Sequence, residues 1–308
     1  MKKTKTTLRT TLGELTREQV GFILPHEHVF VDLRPMDVPG FGEADASDVK
    51  QLMVPYIEEA KAKGVSMMVD CGPLGVGRRV DIIKAVSKAA KLPIMVPTGI
   101  YREPWVPKWV YGASEMEIAE WMTRELTEGI ENTGVKAGFI KLSAGDSGIT
   151  DIERKILKAA CISAKLVNAV IGSHTIHGEV VRNQLDIIEE MGYKADRFIW
   201  IHTHLERNFD IHLEMLRRGA WIEYDGISWE DDERFIELIL KVINAGYIDQ
   251  LLLSQDNGWY SPKTGLASKV RGYTYLGDIF IPKLKAAGVD EASIIKLTQI
   301  NPFNAFAR

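Results

Sequence analysis

The 308-residue sequence predicts a (β/α)8 barrel, an α/β fold built as a single domain over residues 1–308. Three observations carry that prediction. Short, continuous apolar runs rich in β-branched residues recur along the chain, and there are eight of them. Amphipathic stretches of helical period separate them, the pattern of parallel strands covered on both faces. The glycine-rich phosphate loops of an open, doubly wound sheet are missing, with no GxGxxG after the first run and no GxxxxGK[ST] anywhere. Barrels of this length are commonly one domain.

The elements follow in order. Residues 1–20 read as an N-terminal flap ahead of the barrel. Strands are expected at 21–28, 66–71, 94–100, 138–142, 169–174, 198–202, 221–225 and 251–254. Helical patterns lie at 49–63 and 79–90 on either side of the second strand, and at 115–131 before the fourth. Those at 153–167 and 179–191 bracket the fifth strand. Those at 208–218 and 232–245 lead into the seventh and eighth, and 278–287 and 291–298 close the chain. His212 falls on one of these amphipathic helices and reads as a core histidine.

Composition narrows the function. Lys and Arg number 38 against 42 Asp and Glu, a net charge of -4, with no basic run beyond Lys2-Lys3 and scattered pairs. Nucleic-acid binding therefore has no electrostatic footprint. The first residues carry lysines but no apolar stretch behind them, unlike a signal peptide. No run approaches the length of a membrane span. The only cysteines, Cys71 and Cys161, make no disulfide framework and read as small buried hydrophobes. A cytoplasmic protein with a small-molecule substrate is expected.

In a barrel, reactive groups project from the carboxyl ends of the strands. The first strand ends in "LPHEHVFVDL", with His26 and His28 around Glu27. Side chains two apart on a strand share a side. His26 and His28 can therefore face the axis together while Glu27 faces the helix layer. The fourth strand carries Lys141, the fifth His174, the sixth His202 and His204, and the eighth Asp256. An isolated HxH is weak evidence. The ordered set of HxH, Lys, His, His and Asp is strong, because imidazole and carboxylate suit zinc, manganese or cobalt. Lys141 is the odd member, since an ammonium repels a cation. Carbamylated by CO2, it would become an anionic oxygen donor. His177, just past the fifth strand, reads as a rim residue or a substrate contact, and His204 as a pocket or rim residue.

This set resembles the phosphotriesterase-like branch of the amidohydrolase superfamily. Supporting stretches are "LPHEHVFVDL", "ENTGVKAGFIKLSA", "GSHTIHGE", "IHTHLERN" and "LLLSQD", and the match runs nearly the full chain. The resemblance implies two divalent metal ions, zinc first, with manganese, cobalt or iron as alternatives. It implies that His26, His28 and Asp256 hold the more buried ion, and His174 and His202 the more exposed one. Carboxylated Lys141 and a hydroxide would bridge the two. Asp256 would also handle the proton, and Tyr101 in "PTGIYREP" matches a lactonase position near the metals, unless it is a rim tyrosine packed on Trp105. Asp225 fits a position behind the ligands. Relatives of known specificity carry Arg or His after that aspartate, where this chain has Gly226. The resemblance also implies a homodimer.

The activity expected is hydrolysis of small polar, sugar-derived or anionic lactones, with weak phosphotriester turnover beside it. The alternatives are hydrolysis of an organophosphate triester, an acyl-homoserine lactone or an amide, a mononuclear deaminase, and a barrel that binds metal without chemistry. The loop after the eighth strand carries Lys263, Lys269 and Arg271 with Trp259 at its base, and could hold an anionic group or be an ordinary solvated loop. Trp105, Trp109 and Tyr111 could wall the pocket or pack beneath their loop or at an interface.

Overall fold

A computed structural model describes residues 6–308. The barrel strands are Phe22–Phe30, Val65–Asp70, Ile94–Met95 with Pro97–Thr98, Phe139–Ser143, Ile171–His174, Phe198–Ile201, Trp221–Tyr224 and Leu251–Leu253. Every neighbouring pair among them is parallel. The third strand, expected as one run, is two short pieces either side of Val96. Its first piece pairs with the second strand and its other with the fourth. Pro97 has no N–H to give a ladder, which suits a break at this point. The eighth strand returns to the first through Asp256 N–H to His26 O at 3.1 Å and His28 N–H to Asn257 O at 2.9 Å. Gly258–Tyr260 continues that pairing beside His28 and Phe30. The helices sit where the 3.6-residue period places them, and Ser114–Glu117 and Thr150–Glu153 capping boxes start two of them.

Two apolar layers hold this frame. One lies between strands and helices and includes Leu24, Met53, Ile83, Ile140, Ile171 and Trp200. The other fills the barrel with Ile23, Met67, Met95, Phe139, Val170, Ile199 and Leu252. The expected N-terminal flap is an antiparallel hairpin, Leu8–Thr10 with Gly13–Leu15, and residues 1–5 lie outside the described residues. Leu8 is fully buried in the inner layer beside Val20 and Phe306. Thr11 N–H donates to Ile94 O at 2.9 Å, at the start of the third strand. Thr7 and Arg308 exchange backbone hydrogen bonds at 3.0 and 3.2 Å. The hairpin and the C-terminal helix Asn301–Phe306 thus close the amino end of the barrel, away from the strand ends that carry the histidines. Among the described residues, no helix is long and apolar enough to cross a membrane.

His212 is the core histidine expected. It is fully buried on the helix Phe209–Arg217. Its Nε2 lies 3.0 Å from the Glu206 carbonyl, which can only accept, so Nε2 carries the proton. Nδ1 then accepts from the Tyr224 hydroxyl at 2.9 Å. Burial holds the imidazole down to about 4 from its ordinary 6.5. In the unfolded chain the ring protonates below about 6.5, while in the folded chain it stays neutral. The unfolded state therefore binds more protons across that window, and stability falls as pH falls. We expect the stability advantage of wild type over His212→Gln to shrink by about 3 kcal/mol between pH 6.5 and 4. Denaturant melts of both proteins across that range check it, and a constant difference would contradict a neutral, buried ring.

Candidate metal centre

The first strand delivers His26 and His28 to the axis as their spacing requires. Their Nε2 atoms converge on one carboxylate oxygen, Asp256 Oδ1, at 3.6 and 3.0 Å. Asp256 stands just past the eighth strand at a left-handed φ of 51°. The sixth strand ends because His202 is also left-handed, at φ 64°. Its ring meets that of His174, at the end of the fifth strand, with centroids 4.4 Å apart. Tyr101 packs on Trp105, as one reading expected, and its hydroxyl also lies 3.3 Å from His174 Nδ1. Lys141 is buried in the fourth strand and opens on the same space.

That space is a cavity of about 170 Å³. His26, His28, Lys141, His174, His202 and Asp256 form its floor, and Tyr101 lines it too. Its remaining walls are apolar, chiefly Val31, Leu33, Pro73, Val76 and Trp259. His26, His28 and Asp256 approach one another closely enough to share one ion. Asp256 Oδ1 is buried, and the nitrogens that approach it are the two imidazole Nε2 atoms. These donors fit a divalent cation.

Glu27 turns away from the axis and ties strands together. Its carboxylate accepts from Ser254 Oγ at 2.9 Å, Gln255 N–H at 3.2 Å and Asn257 N–H at 2.8 Å. Behind the histidines lies Asp225, fully buried. It is 2.8 Å from His202 Nδ1, accepts the His202 N–H at 3.0 Å, and lies 3.2 Å from His26 Nδ1. It also reaches His204 Nδ1 at 3.3 Å. Burial works against its charge, yet His202 and His26 hold it well below the usual carboxylate range. Beside it is Glu223, also buried, with Oε2 2.9 Å from His26 Nδ1. Burial first, and then Asp225, push its carboxyl well above the usual range. Two buried carboxylates two residues apart resolve in this way, one charged and one neutral. Burial lowers His26 to about 4 and His174 well below its ordinary value, so both rings are neutral and able to ligate. Burial also pushes Tyr101 up to about 12, so its hydroxyl keeps its proton.

Reading strand ends alone overlooked Glu223. The signal was there, because Glu223 lies two before Asp225 and so shares its side of the seventh strand.

The expected substrate contacts divide. Trp259 lines the cavity and packs edge-on against His28, at 5.2 Å between centroids. Tyr101 lines it as well, and the others stand outside it. His177 is exposed at the start of the helix Gly178–Glu190. Lys263 and Lys269 are exposed and face solvent. The Arg271 guanidinium stacks 3.8 Å over the Trp229 ring and donates to Ser228 O at 3.1 Å. These partners hold it at the surface, outside the cavity. Trp109 packs on Trp121 instead of walling the cavity, and the Tyr111 hydroxyl donates to Glu103.

His204 is buried behind Asp225 and also lies outside the cavity. It fills the space that a side chain at 226 would need. A Cβ built on Gly226 would fall on His204 Nε2 and Cε1, inside contact distance. Burial holds His204 down to about 4, so it is a neutral packed ring. Gly226→Ala should therefore destabilise the protein by about 1–3 kcal/mol through overpacking. The same substitution in a His204→Ala background should cost far less. Thermal melts of the four proteins check this coupling, and additive effects would contradict it.

Comparison with known proteins agrees with this geometry. The model of the Phosphotriesterase family matches residues 6–306. The chain is 26% identical over 304 residues to the phosphotriesterase homology protein of Escherichia coli, covering 94% of this chain and 99% of that one. It is 28% identical over 303 residues to an aryldialkylphosphatase of Saccharolobus solfataricus, covering 94% and 96%. A solved structure from the engineering of organophosphate hydrolysis on a weak, promiscuous lactonase template superposes with a TM-score of 0.87. It is 28% identical and covers 97% of this chain and 99% of that one. With its barrel, its cluster of histidines and carboxylates, and a family match running almost end to end, this chain belongs to the phosphotriesterase family of hydrolases.

Proposed function

We propose that the protein is a binuclear metal-dependent hydrolase that opens small lactones whose non-reacting part is neutral and compact. The observation that carries this reading is a small cavity with a floor of ligand-type side chains and walls that are otherwise apolar. Its volume, about 170 Å³, lies below the roughly 300–1,000 Å³ of drug-sized sites. Lys263 and Arg271 stand outside it, which disfavours the anionic lactones that the loop composition suggested. The similar structure built on a lactonase template supports the reaction class.

His26, His28 and Asp256 would hold one ion, and His174 and His202 the other. Lys141, as a carbamate, would supply an anionic oxygen to both. Bound there, such ions make water acidic enough to attack near neutral pH and polarise a carbonyl oxygen. The chain's own groups do the rest. Asp256 lines the cavity, and its carboxylate can accept the proton of the attacking water. The Tyr101 hydroxyl, neutral through the working range, can donate to the carbonyl oxygen as it gains charge. Trp259, Val31 and Leu33 shield the reacting ester from bulk water. Asp225 keeps His202 oriented from behind. A phosphotriester is the second reading, favoured by the name of the Saccharolobus relative.

Two measurements test the proposal. In a pH-indicator assay with zinc or manganese and bicarbonate, plain γ- and δ-lactones should turn over fast. Phosphorylated sugar lactones and paraoxon should be far slower. Silence on every lactone would refute the lactonase reading, and preference for the phosphorylated ones would refute the neutral pocket. Lys141→Ala should bind fewer than two ions and lose most activity, with partial rescue by short carboxylic acids. Wild-type metal content and turnover in that variant would contradict the bridging role.

A further inference from the structure

The seventh strand sends a second carboxylate toward the centre, and neither the strand-end motifs nor the ligand set uses it. We propose that Glu223 is a positioning residue dedicated to His26: it grips the ring from behind and keeps Nε2 aimed at Asp256 and the ion. The inference rests on the metal-dependent reading above.

The contacts around His26 make the case. The ring is 1% exposed and lies among three carboxyl groups. On the cavity side, Nε2 faces Asp256 Oδ1 at 3.6 Å. On the far side, Nδ1 meets Glu223 Oε2 at 2.9 Å and Asp225 Oδ2 at 3.2 Å. Asp225 is already committed elsewhere, to the ring and backbone of His202 at 2.8 and 3.0 Å. Glu223 adjoins Asp225, which helps to push its carboxyl up, and among the described residues its Oε1 is buried with no hydrogen-bond partner. A buried carboxyl oxygen left without a partner is costly. Glu223 Oε2 lies 2.9 Å from the imidazole that must present its other nitrogen to a cation. A ligating imidazole commonly donates its second N–H to a carboxylate, which fixes tautomer and orientation.

The two histidines of the first strand are thus supported unequally. His28 Nδ1 is buried with no hydrogen-bond partner, and its ring packs edge-on against Trp259 and His26. His26 is clamped and His28 is packed. Removing the clamp should loosen the ion shared by His26, His28 and Asp256, and leave the ion at His174 and His202 in place.

The test is zinc retention by the full-length, zinc-loaded protein against a chromogenic chelator, with the melting temperature of each metal-free variant measured alongside. Glu223→Ala should weaken one of the two ions by about 10–100-fold and spare the other. Glu223→Gln should restore most of the loss, since its amide oxygen still accepts from Nδ1–H. Wild type holding two ions, with Glu223→Ala holding both equally well, would overturn the inference alone. So would equal weakening of both ions in the two variants with a matching drop in melting temperature, the mark of a packing role. Wild type that binds no ion would overturn the metal-dependent reading and this inference with it.

Discussion

Asp225 is a carboxylate with no exposed surface, set where three imidazoles meet, and the centre depends on its being charged there. Burying an anion is expensive unless hydrogen bonds replace the lost water. Here His202 supplies both a ring N–H and a backbone N–H, and His26 lies within reach of the other oxygen. The arrangement works in both directions. The imidazoles make the charge tolerable, and the charge decides which nitrogen of His202 carries a proton. The opposite nitrogen is then left for the cavity. Glu223, a neutral carboxyl, meets the corresponding nitrogen of His26 at 2.9 Å.

The barrel makes such a cluster possible. Parallel strands converge on one rim, so side chains far apart in sequence arrive together. The rim is also where the backbone departs from strand geometry. His202 and Asp256 both adopt left-handed φ, a cost of about 1–3 kcal/mol each for residues with a side chain. Each is held there by hydrogen bonds through its own amide, His202 to Asp225 and Asp256 to the His26 carbonyl. The inner core and the terminal hairpin keep the strands from relaxing those turns. Strain at the rim is thus borne by a frame packed at the opposite end.

Much of this was legible in the sequence. His26 and His28 declare themselves because period-two alternation aims both at the axis. Lys141, His174 and Asp256 stand out as polar groups at the ends of apolar runs. Alternation also has limits. It stops when the strand stops, and His202 turns the chain at φ 64°. His204 therefore lands behind Asp225 instead of continuing toward the pocket. Arg271 was read from loop composition, which says nothing of the Trp229 ring that captures it. Glu223 was hidden for the opposite reason: it sits inside a strand, where a charge is least expected.

The central claim is that two ions sit on the cavity side of these histidines and share a modified Lys141. Anomalous diffraction on crystals grown with zinc and bicarbonate, recorded above and below the zinc edge, tests it most directly. The account predicts two peaks, one among His26, His28 and Asp256 and one at His174 and His202. Density for a carboxylate should extend beyond Lys141 Nζ between them. His26, His202 and Asp225 also lie close enough together to hold an ion. A single peak on that far side, with Lys141 unmodified, would contradict the account.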